Sequence, residues 1–132
     1  MAETTSNKDK EKERRKFKRV DVRLLATYKL TGEADENTIY SLDISAGGAR
    51  VWLNRIIKKG TLITFKACLN EGKETVSCKG SIAWQNLRPV KADDGKYYYQ
   101  TGVQFEDLEL KDRMRLIYYC HNFGKHVPSK IK

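Results

Sequence analysis

A chain of 132 residues can build one hydrophobic core and is too short for two ordinary domains. Its charged amino terminus is unlike a signal peptide, and no apolar run approaches the roughly 20 residues that cross a bilayer, so we expect a cytoplasmic protein without membrane insertion. Three cysteines with no CxxC pair argue against a disulfide framework or a structural zinc site. The net charge of +9 favours a phosphate-bearing partner without choosing among nucleic acid, nucleotide and membrane surface.

The chain divides into three parts by composition. Residues 1–13 are polar, mixed in charge and free of large apolar side chains, so we expect a flexible amino-terminal arm. Residues 14–124 contain the apolar patterns of a folded domain. Residues 125–132 form a basic carboxy-terminal tail.

From residue 20 onward, apolar side chains recur at every second position, which is typical of β-strands. Turn sequences separate six such runs, among them the glycine pair Gly47–Gly48 and the hairpin sequence at residues 70–73. The predicted strands are residues 20–30, 40–45, 49–53, 63–69, 76–85 and 97–105. Six short alternating strands predict an antiparallel sheet closed into a small barrel, because closure removes exposed edges.

The period changes to that of a helix beyond Asp107, which we expect to cap the helix start. Gly124 followed by Pro128 is a typical stop. One amphipathic α-helix of about four turns is predicted to pack across the barrel. Its predicted apolar face consists of Leu110, Met114, Ile117, Tyr118 and His121.

The first candidate motif is a pair of arginines directly before the first strand. Arg15 and Arg19 form an RxxxR pattern in which each guanidinium offers a fork of donors that suits phosphate oxygens and guanine acceptors. Any basic run contains this pattern by chance, so it is weak evidence alone. Arg14 extends the cluster, either as a solubilising charge or as a contact to a second ligand.

The second motif, residues 43–48, fits the pattern [D/N]xSxxG at the end of the second predicted strand. Alternation predicts that Asp43 and Ser45 project outward while Ile44 faces the core. The carboxylate can accept from guanine N–H groups, the hydroxyl can bind phosphate or guanine, and Gly47 and Gly48 permit close approach to the backbone. An ordinary β-turn of Asp, Ser and Gly is the alternative.

Together the two motifs resemble the PilZ domain family, and the resemblance runs from about Arg14 to about His121. It includes Gly48-Ala49-x-Val51 and the late strand at residues 101–105. The resemblance implies a six-stranded antiparallel barrel with a carboxy-terminal helix. It also implies binding of cyclic di-GMP, with Arg15 and Arg19 on the dinucleotide and with Asp43, Ser45 and Gly48 on one guanine.

Arg23, on the same strand face as Arg19, and the outward residues Arg50 and Trp52 extend the predicted surface. Trp52 either serves as a base platform or packs under the arm or the helix. Arg14 raises the hypothesis that cyclic di-GMP binds as an intercalated dimer. The complete predicted ligand-binding set is Arg14, Arg15, Arg19, Arg23, Asp43, Ser45, Gly47, Gly48, Arg50 and Trp52.

We therefore expect a cyclic di-GMP receptor whose arm changes conformation on binding and which signals through a protein partner. By family analogy, the controlled processes are motility, attachment or exopolysaccharide production. No nucleophile–base pair is apparent, so neither an enzyme nor a cofactor or metal site is predicted. One alternative is a barrel that binds single-stranded nucleic acid, which would need several outward aromatic side chains where Trp52 is the one strong candidate. The other is an adaptor that binds no ligand.

Overall fold

A computed structural model describes residues 17–124 of the chain. It contains eight strands and one helix: β1 (Val20–Asp21), β2 (Leu25–Leu30), β3 (Asn37–Ile44), β4 (Gly48–Leu53), β5 (Leu62–Leu69), β6 (Glu74–Gln85), β7 (Val90–Lys91), β8 (Tyr97–Phe105) and α1 (Leu110–Asn122). The predicted flexible arm and basic tail lie outside the described residues, as do Arg14 and Arg15. Within residues 17–124, no helix has the length and apolar character needed to cross a membrane.

The six longer strands close into an antiparallel barrel in the order β3-β2-β5-β6-β8-β4, and β4 pairs back with β3. The two short strands extend the rim, since β1 pairs with the end of β3 and β7 pairs with the start of β8. This arrangement confirms the predicted fold class. Closure satisfies the backbone of every long strand on both sides, which leaves no long unpaired edge within the described chain.

The first predicted strand, residues 20–30, is interrupted in the structure between β1 and β2. The Ser41 hydroxyl accepts a hydrogen bond from the Leu24 amide at 2.9 Å and donates one to the Val22 carbonyl at 2.6 Å. The Ser41 side chain thus adds to two backbone hydrogen bonds that persist here, from the Val22 amide to the Leu42 carbonyl and from the Ser41 amide to the Leu24 carbonyl. The interruption lets β1 lie over the end of β3, beside the second motif.

The barrel interior is filled by large apolar side chains from alternate positions of the strands. Among those less than 2% exposed are Tyr28, Leu53, Phe65, Leu69 and Ile82. Their removal from water is the main favourable contribution to folding. This rigid, well-packed interior fixes the positions of the side chains that project from the outer face.

Two irregularities shift the alternation of inward and outward side chains. The β3–β4 register shifts between Ser41 and Asp43, and the β6–β8 register shifts between Ile82 and Trp84. A bulge of this kind moves the following side chains to the opposite face. Strict alternation from Ile44 and from Ile82 would turn Tyr40 and Trp84 toward the core, whereas Tyr40 is 39% and Trp84 43% exposed.

The predicted carboxy-terminal helix exists as α1, but of its predicted inward face only Ile117 packs, partly buried, against the core. The buried residues are Asp112, Leu116 and Cys120, spaced four apart. Leu116 is fully buried, and the Cys120 thiol lies 3.5 Å from the Ile44 carbonyl oxygen. Other side chains expected inward are exposed: Leu110, Met114, Tyr118 and His121.

The start of the helix explains this rotation. Asp107 does not cap α1, because its carboxylate accepts a hydrogen bond from the Lys79 amide at 2.6 Å. Leu108 is buried against the barrel, and Glu109 occupies the N-cap position without a side-chain hydrogen bond. The segment before the helix is thus anchored to β6, and this anchoring sets which face of α1 meets the barrel.

Candidate functional site

The second motif lies in a groove of about 200 Å³ on the outer face of the barrel, which we call the motif cavity. Strands β3, β4, β6 and β8 and the segment before β1 supply its walls. Its polar, glycine and tryptophan residues are Arg19, Asp43, Ser45, Gly47, Gly48, Arg50, Trp84, Gly102 and Gln104. Six predicted residues therefore converge on one groove, and three residues absent from the prediction join them.

Asp43 lies at the floor of the motif cavity and is only 1% exposed. Its carboxylate accepts hydrogen bonds from the Arg50 amide at 3.0 Å and from Arg50 Nε at 2.6 Å. Arg19 Nε lies 3.6 Å from the same carboxylate. The expectation of an outward Asp43 was correct for the direction of the side chain but not for its burial, since the two arginines cover it.

A buried carboxylate is costly unless charged or hydrogen-bonding partners surround it, and Asp43 has both. Arg50 is opposite Asp43 in the β3–β4 register, so the strand pairing itself brings these two side chains together. The arrangement fixes the carboxylate in orientation. It also makes Arg50 part of the floor rather than a separate contact at the rim.

Ser45 and the two glycines form the turn between β3 and β4. The Ser45 hydroxyl accepts a hydrogen bond from the Gly47 amide at 3.0 Å, and the Ser45 amide donates to the Gly48 carbonyl at 2.8 Å. Gly48 is needed for packing, because a Cβ there would lie 2.4 Å from the Val103 carbonyl oxygen. The missing side chain at Gly48 thus allows β4 to lie close to the backbone of β8, and it is not needed to make room for a ligand.

Trp84 forms one wall of the motif cavity. Its indole lies across Gly102 of β8, where an added Cβ would be 2.2 Å from Trp84 Nε1. The ring is therefore held beside Asp43 and Arg50 while 43% of the residue stays exposed. Trp84 is absent from the predicted set because strict alternation from Ile82 would turn it inward. The signal that could have found it is Gly102, since a glycine inside a strand marks a close approach.

Phe17 ties the segment that carries the first motif to the rest of the domain. Its ring is partly buried against the core, 3.5 Å from the position of a Cβ on Gly47. The Arg113 guanidinium of α1 lies 5.3 Å from the ring centroid. The chain leading toward Arg15 thus enters between the turn of the second motif and the helix.

Arg23 and Trp52 do not line the motif cavity. They belong to a larger hollow of about 570 Å³, which we call the aromatic cavity, and the Arg23 guanidinium stacks there 3.9 Å from the Tyr40 ring centroid. Its principal lining residues are Arg23, Tyr40, Trp52, Val90, Asp93, Asp94 and Tyr98. The structure therefore divides the predicted surface into two neighbouring cavities.

Two thiols are too deeply buried to act as nucleophiles at neutral pH. Burial, with smaller contributions from two nearby carboxylates, raises the pKa of Cys78 to about 12. Burial also raises the pKa of Cys120 to about 11. Both remain protonated, and the thiolate is the reactive form. In the described part of the chain, no group of three His, Cys, Asp or Glu side chains is arranged to hold a metal ion.

A sequence profile of the PilZ domain matches residues 13–122, which is most of the chain. A search of curated protein sequences found no match. The profile match spans both motifs, the whole barrel and α1.

Several solved structures share this fold at low sequence identity. The PilZ domain of YcgR from Escherichia coli, determined with c-di-GMP, superposes with a TM-score of 0.66 at 12% identity, covering 89% of this chain and 97% of that one. The Bacillus subtilis inhibitor of motility MotI/DgrA gives 0.65 at 19% identity, covering 83% and 50%. The K. pneumonia MrkH–c-di-GMP complex gives 0.62 at 18% identity, covering 83% and 52%. This chain thus spans about half the length of the last two proteins.

Proposed function

This chain belongs to the PilZ domain family, and we propose that it is a receptor for cyclic di-GMP. The observation that carries the proposal is the motif cavity, where Asp43, Ser45 and Arg19 surround a groove with an aromatic wall. The solved structures of YcgR and MrkH named above contain the same dinucleotide in the same fold. A receptor needs no catalytic groups, and this proposal assigns none.

Each group of the motif cavity suits one part of the ligand. The Asp43 carboxylate accepts from the N–H groups of a guanine edge, and Arg19 donates to phosphate oxygens or to the guanine acceptors O6 and N7. The Trp84 indole offers a face for stacking the base. Arg15 precedes Phe17 by two residues, and we propose that it completes the phosphate contacts begun by Arg19.

The Asp43 carboxylate can bind guanine and still keep its two hydrogen bonds to Arg50. A carboxylate has about four lone-pair positions, and Arg50 uses one on each oxygen through its amide and its Nε. One acceptor position per oxygen remains for the base. We therefore assign Arg50 the role of positioning Asp43, with the weaker contact to Arg19 being the one that ligand phosphate displaces.

Binding is proposed to reorganise the segment that carries Arg14 and Arg15, and so to change the surface offered to a protein partner. Phe17 supports this coupling because it touches both the turn at Gly47 and Arg113 of α1. By family analogy, the response would control motility, attachment or exopolysaccharide production. Arg14 supports the further proposal that two nucleotides bind as an intercalated dimer.

Binding of single-stranded nucleic acid is favoured by one observation. The barrel exposes more aromatic side chains than alternation predicted, including Tyr40, Trp84 and Tyr97. Such side chains can stack successive bases when basic residues line the path. Titration with a fluorescent oligonucleotide at two salt concentrations distinguishes this function, since phosphate contacts weaken steeply with salt.

Isothermal titration calorimetry of the full chain with cyclic di-GMP tests the receptor function. We expect saturable heat for the wild type and at least a tenfold weaker affinity for Arg15→Ala and Ser45→Ala, because each removes a contact to a charged ligand. Arg88→Ala is the matched control, as it removes one exposed positive charge outside both cavities. Absence of heat for the wild type at tens of micromolar ligand would refute the proposal.

A further inference from the structure

The aromatic cavity adjoins the motif cavity on the same outer face of the barrel. Arg50 and Trp52 are two residues apart on β4, where they alternate with the buried Val51, so their side chains project in the same direction about 7 Å apart. On β8, Gly102 pairs with Arg50 and Gln100 pairs with Trp52. A ligand with two planar bases is therefore able to reach from one cavity into the other.

Three aromatic side chains from three different strands face the aromatic cavity: Tyr40 from β3, Trp52 from β4 and Tyr98 from β8. Val90 of the short strand β7 pairs beside Tyr98 and adds a further apolar wall. The volume of about 570 Å³ lies in the range of sites for small organic ligands. Aromatic walls around such a space favour a planar ring as the occupant.

Arg23 adds a positive charge to the aromatic wall of this cavity. Its guanidinium lies 3.9 Å from the Tyr40 ring centroid, and the residue is exposed. Among residues 17–124, no carboxylate lies within ion-pair distance of Arg23. The second face of the guanidinium can stack on a purine, and its donors suit the guanine acceptors or a phosphate.

Asp94 supplies a pair of acceptor oxygens that matches guanine better than adenine. Its carboxylate is fixed by the Tyr98 hydroxyl at 2.7 Å and the Lys96 amide at 2.8 Å. These hydrogen bonds lower the pKa of Asp94, so the group is ionised at neutral pH. Guanine offers its N1–H and its 2-amino group side by side to the two carboxylate oxygens, whereas adenine offers only its 6-amino donor.

We propose that the aromatic cavity is a second guanine-binding site, in which the base stacks against Trp52 and Arg23 and donates to Asp94. The inference rests on the proposed function, because cyclic di-GMP supplies the base. The base in the aromatic cavity is either the second guanine of the cyclic di-GMP bound in the motif cavity or a guanine of a second cyclic di-GMP. Both sources present the same chemistry to the cavity.

The chain contains two tryptophans, and each cavity holds one of them. Trp84→Phe leaves Trp52 as the single reporter of the aromatic cavity, and Trp52→Phe leaves Trp84 as the single reporter of the motif cavity. Each variant is titrated with cyclic di-GMP and, separately, with cyclic di-AMP, while tryptophan fluorescence is recorded. Circular dichroism confirms that each variant keeps the wild-type fold.

We expect cyclic di-GMP to change the fluorescence of both reporters, and cyclic di-AMP to change that of Trp52 with at least a tenfold weaker apparent affinity. A response of Trp84 with a silent Trp52 would overturn the second site and leave the receptor function standing. Silence of both reporters, with no calorimetric heat, would remove both proposals. An equal response of Trp52 to the two dinucleotides would overturn the assignment of Asp94 as a guanine-selective acceptor.

Arg23→Ala in the Trp84→Phe background tests whether the Trp52 signal arises inside the aromatic cavity. We expect at least a tenfold loss of apparent affinity for that signal, whereas Arg88→Ala in the same background retains it. An unchanged signal in the Arg23 variant would contradict the site. Calorimetric stoichiometry then separates the sources: one nucleotide per chain with both reporters responding indicates a bridging molecule, and two indicates a second molecule.

Discussion

The orientation of α1 can be tested by truncating two leucines, because these residues lie six positions apart in opposite environments. Leu116 is fully buried, whereas Leu110 is 74% exposed. Truncation of a buried leucine to alanine costs about 2–5 kcal/mol through lost transfer free energy and the cavity left behind. The same change at an exposed site away from such features costs within about 0.5 kcal/mol. Leu116→Ala should therefore lower the free energy of unfolding by at least about 1.5 kcal/mol more than Leu110→Ala.

Equilibrium unfolding in urea, followed by circular dichroism, measures this difference. Leu110→Ala is the matched control, since both variants make the same chemical change in the same helix and alanine favours helix at either position. An unchanged denaturant slope would show that both variants unfold from the same compact state. Equal costs for the two variants, or a larger cost for Leu110→Ala, would refute the helix orientation.

Two glycines and three thiols give further predictions. Gly48→Ala should destabilise the domain by about 1–3 kcal/mol, because its Cβ meets the Val103 backbone oxygen, and thermal unfolding measures the loss. In Gly102→Ala, the added Cβ would contact the half-exposed Trp84 side chain instead. This variant should therefore change tryptophan fluorescence and weaken cyclic di-GMP binding, and it should lose less stability than Gly48→Ala. With a thiol reagent at pH 8, only Cys68 should react in the folded protein, because the raised pKa values of Cys78 and Cys120 leave less than about 1% of either as thiolate. Rapid modification of a second thiol without unfolding would contradict the burial described above.

Much of the barrel was predictable because strand alternation and turn chemistry are local signals. The last predicted strand, residues 97–105, coincides with β8, and the predicted hairpin at residues 70–73 joins β5 to β6. Positive φ at Asn70, Glu71 and Gly72 shows that this turn extends the left-handed conformation beyond its glycine. The two motifs also contributed five residues that converge on one groove, where Arg50 joins them.

The failures have a common physical origin in contacts between distant parts of the chain. The bulge before Trp84 depends on how β6 pairs with β8, so alternation along β6 alone could not place the indole outward. The rotation of α1 depends on the hydrogen bond from Lys79 to Asp107, which joins residues 28 positions apart. The division of the predicted surface into two cavities likewise depends on β7 pairing with β8 beside Tyr98.

Amide and indole NMR of the labelled full chain, with and without cyclic di-GMP, tests directly whether the motif cavity binds the dinucleotide. Binding in the motif cavity should cause large chemical-shift changes at the amides of Gly47 and Gly48 and at Trp84 Nε1–H, with much smaller changes at exposed positions of α1 such as Leu110. Ser45→Ala should diminish these changes at the same ligand concentration. A spectrum unchanged at saturating ligand, or changes confined to residues outside the motif cavity, would show that this cavity does not bind cyclic di-GMP.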